Sequence, residues 1–251
     1  MENPTSSTTG ITRPGKQSTS RAAVHAATVQ AERMSISPQD ERRHPGLAET
    51  WWFDVADPDA GFGALARLAY RPAERVAWWW VGVVGCGPPL VALRAHDVPI
   101  PARGTDVRTD GLWASVNCET PLEHWSVGLE CFAVAYDDPW EALRSERGDV
   151  IPLGLDLEWE ADAAATARPG GSGYGQSCSV SGEVLLGDAR FGVSAPGYRE
   201  HAWGSAADLP DGPDRLRTGK PVAVCPFAVP GRAWVETLYA DGWGGAPYTR
   251  S

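Results

Sequence analysis

The chemistry of this chain concentrates in Gly197-Tyr198-Arg199-Glu200-His201-Ala202-Trp203-Gly204, an aromatic, a guanidinium, a carboxylate, an imidazole and an indole between two glycines. A carboxyl beside an imidazole can hold, deliver or accept a proton. Read as a strand, the segment puts Tyr198, Glu200 and Ala202 on one face and Arg199, His201 and Trp203 on the other. A face carrying charge, a titratable ring and an indole belongs against solvent, as a solvated edge strand, or in a polar-lined cavity. Further titratable groups are available. Glu49 and Asp54 flank Trp51-Trp52, and Glu119, Glu123, His124 and Glu130 fall close together. Carboxylates held near one another raise one another's pKa, so that one can stay protonated. Each could equally form a salt bridge at a rim.

Other chemistries lack their signatures. His96, His124 and His201 are far apart, with no H-x-H or H-E-x-x-H spacing, so no metal site is expected. No G-x-S-x-G marks a serine nucleophile. Gly82-x-x-Gly85-x-Gly87 follows an apolar strand without a helix after it and reads as a Gly-rich turn, so no nucleotide cofactor is expected. The five cysteines, at 86, 118, 131, 178 and 225, show no C-x-x-C pair and read as reduced thiols in a cytoplasmic protein.

The elements that must position these residues are strands. Twelve tryptophans with abundant Gly and Pro, and little helical periodicity, favour an all-β architecture with an aromatic interior. The net charge of −10 disfavours nucleic acid and anionic membrane surfaces as partners. No apolar run reaches membrane-spanning length, and no apolar segment near Met1 reads as a secretory signal. Residues 1–45 are rich in Ser, Thr, Ala and charge and read as a disordered tail. The composition turns globular after Met34, the second of two methionines; either translation starts there and residues 1–33 are an upstream extension, or the segment is a genuine flexible tail.

Strands are expected at 49–55, 63–71, 76–84, 90–94, 105–109, 112–119, 123–136, 152–160, 174–186, 189–203, 222–229 and 233–240. A short helix or polar loop is expected at 139–147, a linker at 161–173, a loop at 205–221 and a frayed Gly-rich tail after 240. In 123–136, Trp125, Val127, Leu129, Cys131 and Ala133 share one face. In 76–84, Trp78 and Trp80 share a face opposite Trp79, either as a barrel wall buried on both sides or as the lining of a pocket for a planar apolar ligand. About a dozen antiparallel strands with short turns suggest a closed or nearly closed barrel.

Several segments, in order, resemble a known group. Glu49-Thr50-Trp51-Trp52-Phe53-Asp54, Ala56-Asp57-Pro58, Glu119-Thr120-Pro121-Leu122-Glu123-His124-Trp125 and Tyr174-Gly175-Gln176-Ser177 lead to Gly197–Gly204. Together they are similar to the AttH-like and carotenoid 1,2-hydratase-like proteins, which are tandem lipocalin-like (calycin) barrels. The resemblance spans about Met34 to Gly204. It departs where the group's Arg-Asp-His-Ser-Trp-Gly is here Arg199-Glu200-His201-Ala202-Trp203-Gly204. The second barrel is also shortened, since only about 47 residues follow the motif. The resemblance implies a first lipocalin-like domain at 46–160 and an incomplete second one at 174–251.

It also implies a cofactor-independent hydratase or cyclase acting on a hydrophobic polyene, terpenoid or polyketide-like molecule. Glu200 would be the proton donor, with Asp54 or Glu130 as its carboxylate partner, and His201 would position water. The ligand would be lined by Trp51, Trp52, Trp78, Trp80, His124, Tyr198, Arg199 and Trp203, for aromatic faces stabilise cations. A non-catalytic binder of a hydrophobic small molecule, or an inactive relic, are the alternatives. The oligomeric state is not legible.

Overall fold

The structure, a computed structural model, describes residues 36–144, 147–169, 172–207, 209, 211–213, 215, 217, 219–230 and 232–248. They lie in one compact unit, Ile36–Ser251. The tail at 1–35 and Met34 with it lie outside them.

The protein is all-β. Its strands are β1 (Ala48–Asp57), β2 (Phe62–Arg71), β3 (Val76–Val84), β4 (Leu90–Pro99), β5 (Val107–Thr109), β6 (Leu112–Thr120), β7 (His124–Tyr136), β8 (Asp149–Ala161), β9 (Thr166–Ala167), β10 (Ser172–Leu186), β11 (Ala189–Gly204), β12 (Pro221–Val229), β13 (Arg232–Tyr239) and β14 (Gly242–Tyr248). Eight of them curl in the order β4–β3–β2–β1–β11–β10–β8–β7, every pairing antiparallel. The sheet meets itself where β4 pairs the end of β7 through Leu90–Tyr136, Val91–Ala135 and Ala92–Val134. The first part of β7 pairs β6 instead, and β5 extends from there. This is the lipocalin-like barrel, with its edges largely consumed by pairing.

Period-two alternation decides what fills it. Trp51, Phe53 and Val55 of β1 point inward with Trp79 of β3, Trp125, Val127 and Leu129 of β7, and Leu153, Leu155, Leu157 and Trp159 of β8. These side chains pack the lumen. Trp52, Leu65, Trp78 and Trp80 face outward, and a second sheet, β12–β13–β14, covers them with Cys225, Phe227, Leu238 and Trp243. The fit is close. Phe227 stacks on Trp80 with ring centroids 5.1 Å apart, and the Trp243 indole donates to the Val55 carbonyl at 2.9 Å. Gly82 lies so close under the Cys225 thiol that a Cβ would collide with it. Trp78-Trp79-Trp80 is therefore a wall buried on both sides.

Three expectations change. Residues 36–45, read as tail, are ordered. Pro38–Glu41 forms a 3-10 turn, with the Asp40 carboxylate accepting from the Ser37 N–H and hydroxyl, and Glu41 is buried. Residues 161–173 are no domain boundary, because β10 and β11 complete the same barrel as β1–β8. The remaining strands form a separate three-stranded sheet, β12–β13–β14. Residues 242–248, read as a frayed tail, form β14 paired along β13. Pro139–Leu143 takes the short-helix option as a 3-10 turn.

Candidate functional site

The β1–β11 pair carries the chemistry. Its register sets Trp51 opposite His201, Trp52 opposite Glu200, Phe53 opposite Arg199 and Asp54 opposite Tyr198. The alternation expected for 198–203 holds, and it divides the titratable residues between two buried clusters on opposite faces.

On the lumen face, the ordered segment 36–47 closes one end of the barrel. Arg199, 1% exposed, donates to Glu41 at 2.8 Å and also to Gln176. Tyr174 donates its hydroxyl to the same carboxylate, and the Leu122 N–H adds a contact at 2.8 Å. Burial alone would raise the Glu41 carboxyl; the Arg199 guanidinium and these hydrogen bonds outweigh it and hold the group below its ordinary value. Beside this pair, Glu49 Oε1 lies 2.9 Å from His44 Nδ1 and 2.8 Å from His201 Nε2. The His44 backbone N–H contacts both Glu49 oxygens, at 3.1 and 3.0 Å. Trp203 stacks on His44 at 4.0 Å and 10°, and Trp51 on His201 at 4.8 Å and 15°. Burial holds His201 below the ordinary imidazole value despite the Glu49 carboxylate.

On the outer face, the second cluster lies beneath β12–β14. Asp54 accepts from the Trp52 indole at 2.7 Å and pairs with Arg215. The Arg215 guanidinium also lies 4.5 Å above the Tyr198 ring. Glu200 pairs with Arg168 at 3.1 Å. Arg67, its guanidinium 4.3 Å above the Trp80 ring, donates to the Thr50 hydroxyl at 3.0 Å. From β13, Glu236 is fully buried; Oε1 accepts from the Trp234 indole at 2.6 Å, and Oε2 has no partner among the described residues. Burial pushes the Glu236 carboxyl up to about 8, and the Trp234 indole and Arg215 offset only part of that. Burial also raises Glu200, against the opposing pull of Arg168 and Arg215.

The sequence-derived set is thus divided. Glu200, Asp54, Tyr198, Trp52, Trp78 and Trp80 share the outer face, whereas His201, Arg199, Trp51 and Trp203 belong to the lumen. His201 cannot position water for Glu200 through the sheet. Glu130 is exposed on the outside of β7 and joins neither cluster; it lines a groove of about 850 Å³ with Trp113, Phe132 and Leu185. His124, at the start of β7, lies 3.4 Å from Glu158 and is partly exposed. Glu41 and His44 carry no sequence signal, because they fall in a segment whose composition is that of a tail. Glu236 had a signal, for it shares a strand face with Trp234 and Leu238, and a carboxylate between two large apolar residues is out of place.

Residues 37–206 match the family model described as Domain of unknown function (DUF7064). The chain belongs to the DUF7064 family. The matched stretch holds the barrel with the Glu41 and His44 cap. It leaves out the β12–β14 sheet that brings Glu236. No curated protein and no solved structure matched this DUF7064 chain in the corresponding searches.

Proposed function

We propose that this DUF7064 protein is a cofactor-independent acid catalyst of the hydratase or cyclase type, acting on a hydrophobic polyene, terpenoid or polyketide-like molecule. The observation that carries the reading is the outer-face cluster: Asp54, Glu200 and Glu236 buried together among the indoles of Trp52, Trp80, Trp234 and Trp243. A buried neutral carboxylic acid is what protonation of an isolated alkene requires. Glu200 and Glu236, whose Oε2 has no partner among the described residues, supply the proton to one alkene carbon. The cation left on the neighbouring carbon is stabilised by carboxylate charge and aromatic faces. Water captures it in hydration, or a second double bond does so in cyclisation, and the released proton returns to the carboxylate. Similarity to the AttH-like and carotenoid hydratase-like proteins supports the same reading, with β12–β14 as the remnant of their second barrel. The five cysteines are free thiols, which supports a reducing, cytoplasmic setting. No helix among the described residues is long and apolar enough to cross a membrane.

The test is incubation of the full chain with linear polyenes and terpenoids in deuterated water. Solvent deuterium should enter the product carbon skeleton, and Glu236→Gln and Glu200→Gln should each lower incorporation by about a hundredfold or more. Incorporation by both variants at the wild-type level sinks the assignment. A second reading, a binder without catalysis, is favoured by the groove lined by Trp113, Phe132 and Leu185, whose volume suits a small molecule. Hydrocarbons that quench tryptophan fluorescence without any exchange would select it, and Phe132→Ala should then weaken the quenching.

A further inference from the structure

The lumen-face cluster is not used by the acid chemistry, and its donor set fits a different ligand. His44, Glu49 and His201 each offer one ligand atom, and these atoms all lie within 4.8 Å of one another; Glu49 Oε1 is 2.9 Å from His44 Nδ1 and 2.8 Å from His201 Nε2. Their orientation is fixed from outside. Trp203 lies flat on one imidazole and Trp51 on the other. The His44 backbone N–H contacts both oxygens of the carboxylate. His201 is 0% exposed, and its Nδ1 has no partner among the described residues, so Nε2 is the atom through which the ring is engaged. His44 is 23% exposed at its side chain, which leaves a way in from solvent.

We propose that His44, Glu49 and His201 form a binding site for one divalent transition-metal ion of the zinc class. Two imidazoles and one carboxylate select zinc-like ions over magnesium or calcium, which prefer all-oxygen shells. Ligand distances of about 2.0–2.2 Å are reached by small rotations of side chains already in contact. Each ring then carries its proton on the other nitrogen, Nδ1 of His201 and Nε2 of His44. The pair of neutral imidazoles with one carboxylate leaves the ion a net positive charge, and three protein ligands leave it an open position. The site lies on the opposite face of the sheet from Asp54 and Glu200, and the inference does not depend on the acid reading. Because His44 lies within the stretch that matches the family model, both imidazoles and the carboxylate belong to the family's own region.

The test is titration of the full, untagged, chelator-stripped chain with cobalt(II), followed by zinc(II). One equivalent of cobalt should give a visible ligand-field band that one equivalent of zinc abolishes. His44→Asn should weaken cobalt affinity at least about tenfold, and Glu49→Gln should do the same. His44 is partly exposed, so its variant is expected to keep cooperative urea unfolding and remains decisive if Glu49→Gln fails to fold. The proposal is overturned if the wild type takes up no stoichiometric cobalt. It is equally overturned if the His44→Asn variant binds as the wild type does, or if the band is a thiolate charge-transfer band, which would place the ion on cysteine.

Discussion

The two faces of the β1–β11 pair bury similar residues and solve the problem of buried charge in opposite ways. On the lumen face, Glu41 meets Arg199 with Tyr174, Gln176 and the Leu122 N–H completing the shell, and the carboxyl is held below its ordinary value. On the outer face, Glu236 gains one indole N–H, leaves an oxygen without a described partner, and is pushed upward. The difference shows that burial alone does not set protonation. The number of donors and the nearness of a guanidinium decide between a charged pair and a neutral acid.

The largest expected contrast is in pH dependence. Between about pH 4.5 and about pH 8 the folded protein keeps a proton on Glu236 that the unfolded chain has released. Stability from this group is therefore complete below the unfolded value and drains away as pH rises through the folded one, by on the order of 5 kcal/mol. Glu41 works the other way, since its folded pKa is lowered; its contribution is present above about pH 4.5 and is lost as pH falls. Urea midpoints measured across this range should decline toward pH 8 in the wild type and flatten in Glu236→Gln. Identical slopes would break the comparison.

Next in size is Arg199→Met. It strands the Glu41 carboxylate at a site 6% exposed and should cost about 3–5 kcal/mol in urea unfolding. The matching change outside, Arg168→Met, should cost less, about 1–3 kcal/mol, because Arg168 is 16% exposed and water reaches the edge of its pair with Glu200. Equal losses would mean the faces do not differ as described. Gly82→Val forces a side chain into the Cys225 thiol and should lift β12 at a cost of about 1–3 kcal/mol, turning the fully buried Cys225 reactive toward a thiol reagent. An unreactive Cys225 would show that β12 stays seated. Smallest is Arg190→Ala, which removes a solvent-facing partner of Glu183 and should change stability by under about 1 kcal/mol.

The strands were legible because alternation and turn glycines are local signals. Trp125, Val127 and Leu129 announce an inward face by themselves, and Gly187-Asp188 announces a hairpin. The facing of 198–203 was legible for the same reason. What was hidden depends on distance in the chain. Glu41 is held by Arg199, 158 positions away, and nothing in Pro38-Gln39-Asp40-Glu41 is apolar enough to signal burial. Residues 242–248 hide a strand because three glycines interrupt the pattern, and β13 supplies the pairing that makes them one. The division of Glu200 from His201 followed from adjacency alone. Joining them in one active site required ignoring it.

The most direct measurement is an infrared difference spectrum at neutral pH between the wild type and Glu236→Gln. The account predicts that the wild type shows the carbonyl band of a protonated carboxylic acid that is absent from the variant and that fades as pH rises past about 8. A difference spectrum containing only carboxylate bands would contradict it, for the outer face would then hold a charge like the lumen and no neutral acid would stand among the indoles.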